Sequence, residues 1–166
     1  PSNAAAGTIT MSVNQSMILL PENPMMPRIY DKRVGYFSIE NIDYSSEALK
    51  SDEKRYIRRW RLDPKDEAAY NRGELVEPKK QIVYYLDPAT PVKLRKYIKQ
   101  GVDDWQKVFE TAGFKNAIIA KMPPTTEEDP EFSMEDIRYS SIRYVASITR
   151  NAVGPSVSDP RSGEII

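Results

Sequence analysis

The chain has 166 residues, 24 basic and 24 acidic side chains, and neither histidine nor cysteine. Without these two residue types it can form no Ser-His-Asp triad, no thiol nucleophile, no disulfide and no zinc site built on His or Cys. Chemistry performed by these residues alone would have to use carboxylates, Lys, Tyr, Ser or Thr.

The balance of 40% hydrophobic and 29% charged residues is typical of a globular protein. The 13 prolines predict many turns. No stretch is long and apolar enough for a transmembrane helix, so we expect no membrane span. The first residues, Pro-Ser-Asn-Ala-Ala-Ala, include no initiator Met and lack the basic flank and apolar run of a signal peptide. We therefore expect the chain to be a processed or excised piece of a longer protein.

The first half is predicted to contain short strands. In the first of them Ile9, Met11 and Val13 alternate with polar residues, which is typical of a half-buried strand. Residues 41–53 are polar and predict a loop or short helix, and residues 66–72 predict one or two helical turns. The predicted strands or extended segments are residues 8–20, 33–39 and 54–62.

The second half has clearer signals. The apolar run 81–86 predicts a strand covered on both faces. Thr90 and Pro91 predict a helix start, with Thr90 as N-cap. The helix is predicted over residues 91–112, where apolar side chains recur with helical spacing. These are Leu94, Tyr97, Ile98, Gly101, Val102, Trp105, Val108, Phe109 and Ala112. Two further strands are predicted at 117–121 and 141–148.

The charge order of the predicted helix is unfavourable. Its N-terminal half carries four bases, although the helix dipole favours acids there by a few tenths of a kcal/mol each. Burial of apolar side chains, at roughly 1.5–3 kcal/mol each, outweighs this penalty. The bases are Lys93, Arg95, Lys96 and Lys99.

Three charged segments are candidate sites. Asp103 and Asp104 are neighbouring carboxylates, but adjacent helical residues point about 100° apart, which favours a solvated helix face over acid–base catalysis. The loop 125–136 holds six acids and no base, which permits calcium binding. It lacks the spacing and the Gly of an EF-hand loop, which favours a solvated loop. Residues 54–61 interleave bases with Tyr and Trp, as in proteins that stack nucleic acid bases. The zero net charge favours a strand lined by amphipathic side chains, so we expect no nucleic acid partner.

The most informative run is residues 154–165. Its pattern predicts an edge strand followed by a tight turn, and Pro155 suits an edge because it cannot donate to a central ladder. An exposed edge can bind an extended peptide by strand addition. The alternative is an ordinary edge turn without a ligand.

The order strand, long helix, strand, strand and then Gly-x-Ser-x-x-x-Pro-x-x-Gly-x-Ile resembles the N-terminal subdomain of metzincin-type zinc endopeptidases. Several runs resemble more closely the large bacterial zinc-dependent metalloproteases of the Met-zincin group, long filed as domains of unknown function. The resemblance covers residues 20–166. The runs are Pro-Met-Met-Pro-Arg (24–28), Asp-Lys-Arg-Val-Gly-Tyr-Phe (31–37), Arg-Trp-Arg-Leu (59–62), Val-Glu-Pro-Lys-Lys-Gln-Ile-Val-Tyr-Tyr-Leu-Asp (76–87), Asp-Trp-Gln (104–106) and Ser-Asp-Pro-Arg-Ser-Gly-Glu-Ile (158–165).

The resemblance implies an α+β (α/β) fold with a mixed twisted sheet and one long helix. Residues 1–75 would be an accessory β-rich segment, and residues 76–166 the truncated N-terminal subdomain of a zincin-like catalytic domain. The family's zinc ligands and general-base Glu, in a His-Glu-x-x-His helix, would lie beyond Ile166. We therefore expect no catalytic residue, no metal ligand and no turnover in this chain alone, with zinc expected in the full-length parent.

The resemblance also implies a partner and a location. An extended peptide substrate would pair antiparallel with Gly154, Pro155, Ser156, Val157 and Ser158, and the remainder of the catalytic domain would be the second partner. The parent would be secreted, periplasmic or on the cell surface. Two other hypotheses remain open: a self-contained peptide-binding module that uses its open edge, and a structural surface module with no ligand.

Overall fold

The computed structural model describes residues 2–3, 7–45, 47 and 49–166, which form short strands and three helices. Two pairs of strands are antiparallel, and three further strands form a parallel sheet. The predicted α+β class is confirmed, with the parallel and antiparallel pairings in separate sheets. The strands are β1 (Ser2–Asn3), β2 (Thr8–Ile9), β3 (Ser38–Asp43), β4 (Asp52–Ile57), β5 (Ile82–Leu86), β6 (Ile118–Lys121) and β7 (Ser140–Ile142). The helices are α1 (Glu67–Asn71), α2 (Val92–Asp103) and α3 (Gln106–Thr111).

The parallel sheet has β5 at its centre, in the order β6-β5-β7. A parallel neighbour requires a crossover connection, which α2 and α3 supply between β5 and β6. One apolar cluster lies between this sheet and α2, built on buried Leu86, Val102 and Ala120. A second cluster joins α1 to the loop before β6, through Ala69, Val76, Phe114 and Ala117. Its members come from both sides of the boundary predicted at residue 75.

The long helix is present but interrupted. α2 ends at Asp103, and Trp105 N–H donates to the Val102 carbonyl at 3.2 Å, a tightened last turn, before α3 begins. Val102 of α2 packs in the sheet cluster, whereas Phe109 of α3 packs against the α1 cluster. The two helices therefore pack against different clusters, and Trp105 and Val108, predicted to be buried, are more than half exposed.

The prediction that Thr90 is the N-cap was wrong. The helix begins one residue later, Pro91 occupies the cap position, and no side chain caps the first turn. Thr90 is instead 1% exposed, and its hydroxyl has no hydrogen-bond partner among the residues that the structure describes. Its carbonyl accepts a hydrogen bond from Arg95 Nε at 2.9 Å.

We expect Thr90→Val to raise the free energy of unfolding by about 1 kcal/mol, because it replaces a buried, unpartnered hydroxyl with a methyl group of the same shape. Thr90→Ser is the matched control: it keeps the hydroxyl, removes a methyl group and should lower stability by roughly 1 kcal/mol. Urea denaturation at neutral pH measures both. Destabilisation by Thr90→Val would show that the hydroxyl is hydrogen-bonded.

Two predicted strands were too long. The first is limited to Thr8–Ile9, and Met11 and Val13 are exposed, since residues 10–20 have no partner strand in the described part of the chain. The strand predicted at 141–148 ends at Ile142, the residue paired with Leu86 at the end of β5. Because β5 ends at Leu86, the residues after Ile142 have no β5 main chain to pair with, and Ile148 is fully exposed.

Two strands of the first half are shifted from their predicted positions and pair as a hairpin. Residues 31–34 form a turn, closed by a Val34 N–H bond to the Asp31 carbonyl at 2.9 Å, so the strand predicted at 33–39 begins only at Ser38. It continues into the segment predicted as loop and pairs with β4, which confirms in part the extended segment 54–62. The helix predicted at 66–72 is confirmed as α1, capped by Asp66.

Candidate functional site

The C-terminal residues form the tight turn that the sequence predicts. Ser158 and Ile165 make an antiparallel bridge, in which Ile166 N–H donates to the Val157 carbonyl at 3.1 Å and Asp159 N–H to the Glu164 carbonyl at 2.8 Å. We call residues 158–165 the docking turn.

The docking turn packs on the chain that continues from β4. Arg59 N–H donates to the Gly163 carbonyl at 3.1 Å, and Ile165 N–H donates to the Arg59 carbonyl at 2.9 Å. Asn41 of β3 adds a side-chain hydrogen bond to the Pro160 carbonyl at 2.6 Å. The turn is therefore held by main-chain hydrogen bonds to the segment after β4 and by a side-chain hydrogen bond from β3.

Gly163 makes this close approach possible. Its φ of +77° lies in the left-handed region that favours glycine. A Cβ at this position would overlap the Ile57 carbonyl group, coming within 3.1 Å of its carbon atom and closer still to its oxygen. Only a residue without a side chain fits there.

A buried carboxylate closes the turn. Asp159 is 0% exposed and accepts hydrogen bonds from the Arg161 side chain at 2.7 and 3.0 Å and from Arg161 N–H at 2.8 Å. The same guanidinium donates to the Pro21 carbonyl at 2.7 Å. The side-chain hydrogen bonds from Arg161 hold the pKa of Asp159 below its usual range, although burial opposes them. The pair thus connects the docking turn to the proline-rich segment that precedes β3.

The predicted substrate-pairing residues lie just before this turn. Gly154, Pro155 and Val157 are exposed, whereas Ser156 and Ser158 are partly buried. Ser158 belongs to the bridge, and residues 154–157 lie outside the named strands and outside the parallel sheet. Within the described part of the chain, residues 143–156 make no main-chain to main-chain hydrogen bond. The segment therefore presents an unpaired main chain.

Sequence reasoning did not single out Arg58 as a site residue. It lies beside the exposed segment, where its Nη1 is 3.5 Å from Ser156 Oγ and its Nε is buried without a hydrogen-bond partner. The available signal was its place between Tyr56 and Trp60 in the run 54–61, which interleaves bases with aromatic residues. Trp60 packs edge-on against Tyr84 of β5, which links the hairpin region to the parallel sheet.

Some residues of the other charged candidates form local ion pairs. Asp103 binds Lys99 at 2.6 Å, and in the acidic loop Asp136 binds Arg138 at 2.6 Å. Lys54 pairs with Asp43 across the hairpin, and its hydrogen bond lowers the pKa of that carboxyl. Among the described residues no group of three or more acids is placed to hold a metal ion. None of the helices that the structure describes is long and apolar enough to cross a membrane.

Comparison with known proteins gives one match. Residues 1–65 match the family model of a domain of unknown function, DUF5117. No curated protein and no solved structure matches the chain. The matched region includes the β3–β4 hairpin and Arg58 and Arg59, so it supplies the surface on which the docking turn packs.

Proposed function

We propose that this chain is the non-catalytic N-terminal part of a secreted, periplasmic or cell-surface zinc-dependent metalloendopeptidase, and that residues 154–158 pair with an extended peptide substrate. The observation that carries the pairing role is the unpaired main chain of residues 154–156, which leads directly into the docking turn. The metallopeptidase assignment itself rests on the sequence resemblance. The zinc ligands would be supplied by residues further along the parent protein.

The hydrogen-bond pattern defines which edge is open. The Val157 carbonyl and Asp159 N–H point toward the other arm of the turn, since they bond Ile166 and Glu164. Main-chain groups of successive residues in an extended chain point to opposite edges, so those of residues i and i+2 share an edge. The groups of Ser156 and Ser158, and of Gly154 if the extended chain continues, therefore face the open edge. Pro155 falls on the closed edge, where its missing N–H removes nothing from substrate pairing.

The docking turn also lowers the entropic cost of binding. Strand addition draws its affinity from main-chain hydrogen bonds and is weakened when the receiving strand must first be ordered. Here one end of the segment is fixed by the buried Asp159 and by Gly163. A peptide would then order only the few residues that precede Val157.

The test uses the full-length parent protein, with zinc analysis and cleavage of a quenched fluorescent peptide. We expect stoichiometric zinc, and we expect Ser156→Pro to lower kcat/KM about tenfold, because it removes one main-chain donor from the open edge. Val153→Pro is the matched control, since its N–H belongs to the closed edge.

Saturable peptide binding without zinc or cleavage would replace the peptidase proposal with that of a peptide-binding module. Absence of a His-Glu-x-x-His motif from the parent sequence would also end it. Equal losses in the two proline variants would contradict the assignment of the open edge while leaving the peptidase proposal intact.

A further inference from the structure

A concave pocket of about 340 Å³ lies at the carboxyl ends of β5 and β6. Leu86 is the last residue of β5 and Lys121 the last of β6, and one face of α2 forms the facing wall. Crevices at the carboxyl ends of parallel strands are common ligand sites in α/β proteins. We call this the basic pocket; it is lined by Leu86, Arg95, Lys96, Lys99, Ala120, Lys121 and Met122.

The basic pocket combines an apolar floor with a cationic rim. Leu86 and Ala120 are each only 3% exposed, and Met122 extends the apolar surface outward. The other four lining residues are bases, and none of the described acids lines the pocket. This distribution of apolar and charged groups suits a ligand that has an apolar body and an anionic end.

Most of this positive charge is not neutralised. Lys99 pairs with Asp103 at 2.6 Å, whereas Arg95, Lys96 and Lys121 form no ion pair within the described residues. Arg95 is held in place by the Thr90 and Pro88 carbonyls, at 2.9 and 2.6 Å. Its guanidinium is thus positioned by neutral acceptors that leave its charge uncompensated.

Two of these bases, Arg95 and Lys96, lie near the N-terminus of α2, where positive charge is unfavourable. The first turn of α2 has no acidic residue, although the helix dipole favours acids there. Like charges on one rim also repel each other. Local arrangements that oppose folding are expected where function requires them. A bound anion would relieve both the repulsion and the unfavourable interaction with the dipole.

We propose that the basic pocket binds a small anion with an apolar tail, the chemistry of a medium-chain carboxylate or of the C-terminus of a short apolar peptide. Its carboxylate contacts Lys96, Lys121 and Arg95, and its tail lies on Leu86, Ala120 and Met122. The volume is at the lower end of the roughly 300–1,000 Å³ found for small-molecule sites, which limits the ligand to this size. The site is separate from the segment proposed to pair with substrate.

Calorimetric titration of the full-length protein with octanoate tests the proposal. We expect saturable binding of octanoate, and binding weaker by about tenfold or more for octanamide, which lacks the charge, and for acetate, which lacks the tail. Acetyl-Ala-Leu carries a carboxylate and an apolar side chain on a peptide. Tighter binding of acetyl-Ala-Leu than of octanoate would identify a peptide C-terminus as the ligand, and the reverse order a fatty carboxylate.

The double variant Lys96→Gln/Lys121→Gln should weaken octanoate binding by at least about tenfold, since each lysine contributes a charged hydrogen bond. The matched control, Lys50→Gln/Lys107→Gln, removes the same charge from exposed positions outside the pocket and should leave binding unchanged. Equally weakened octanoate binding in the two double variants would overturn the proposal. Equal affinity for acetate and octanoate, or no saturable binding of octanoate, would also overturn it.

Discussion

Gly163→Ala is expected to lower the free energy of unfolding by about 3 kcal/mol, the largest effect we predict for a single methyl group. A left-handed backbone costs an L-residue roughly 1–2 kcal/mol, and overpacking against a fixed carbonyl adds about 1–3 kcal/mol. The added methyl group would overlap the Ile57 carbonyl, which belongs to a main chain held by the hairpin. The docking turn would have to move away from the hairpin to accommodate it.

Gly154→Ala is the matched control for this substitution. Gly154 has no atom within 4 Å of the position of an added Cβ and does not have a positive φ. Its replacement should change stability by no more than about 0.5 kcal/mol, as at ordinary surface positions. Guanidinium denaturation of both variants decides the matter. A Gly163→Ala variant as stable as Gly154→Ala would show that the turn does not dock on Ile57.

Asp159→Asn should lower the free energy of unfolding at pH 7 by about 1–2 kcal/mol, because it removes charge-assisted hydrogen bonds to Arg161. We take the lower part of the usual range, since the Arg161 side chain is 42% exposed and solvent screens the pair. The remaining guanidinium can reach water, so no unpaired buried charge results. Equilibrium denaturation gives the difference.

The decrease in the free energy of unfolding that Asp159→Asn causes should depend on pH in a defined direction. The folded-state pKa of Asp159 is lowered by Arg161, so its contribution is fully present above the unfolded pKa of about 3.9. It disappears as the pH falls through that value toward the lower folded pKa. The stability difference between wild type and Asp159→Asn should therefore be constant near neutrality and shrink below about pH 4. A difference that grows on acidification would contradict the Asp159–Arg161 pairing.

Other carboxylates titrate in the same acid range. Asp31, Asp43 and Asp136 also have lowered pKa values, each through a neighbouring base. Both proteins contain these groups, so their contributions cancel in the difference. The comparison with the Asn variant, and not the acid denaturation curve of either protein alone, is the measurement that isolates Asp159.

Local chemistry determined several elements correctly. The Asp66 cap and the turn at Gly73 bound α1, and the run of β-branched and aromatic residues at 82–86 forms the central strand. These features depend on side-chain to main-chain bonds within a few residues or on the burial of an apolar run. Such signals are present in the sequence itself and do not depend on which distant segment becomes the neighbour.

Tertiary partners decided where strands end and which polar groups are buried. Apolar residues continue to recur at every second position from Ile142 to Ile148. However, β5 ends at Leu86, and the strand pairing ends there as well. Thr90 has the residue type of an N-cap, yet packing buries it with its hydroxyl unpaired. Strand length and polar burial are properties of pairs of segments, so periodicity along a single segment does not define them.

By itself the sequence determined the fold class, the tight turn near the C-terminus and the exclusion of chemistry that depends on His or Cys. Only the tertiary structure showed that this turn packs on the segment after β4, with Gly163 against Ile57 and Asp159 buried. It also showed that four bases share one pocket with an apolar floor. The physical reason is distance along the chain: hydrogen bonds and charges separated by tens to more than a hundred residues meet only when the fold brings their segments together.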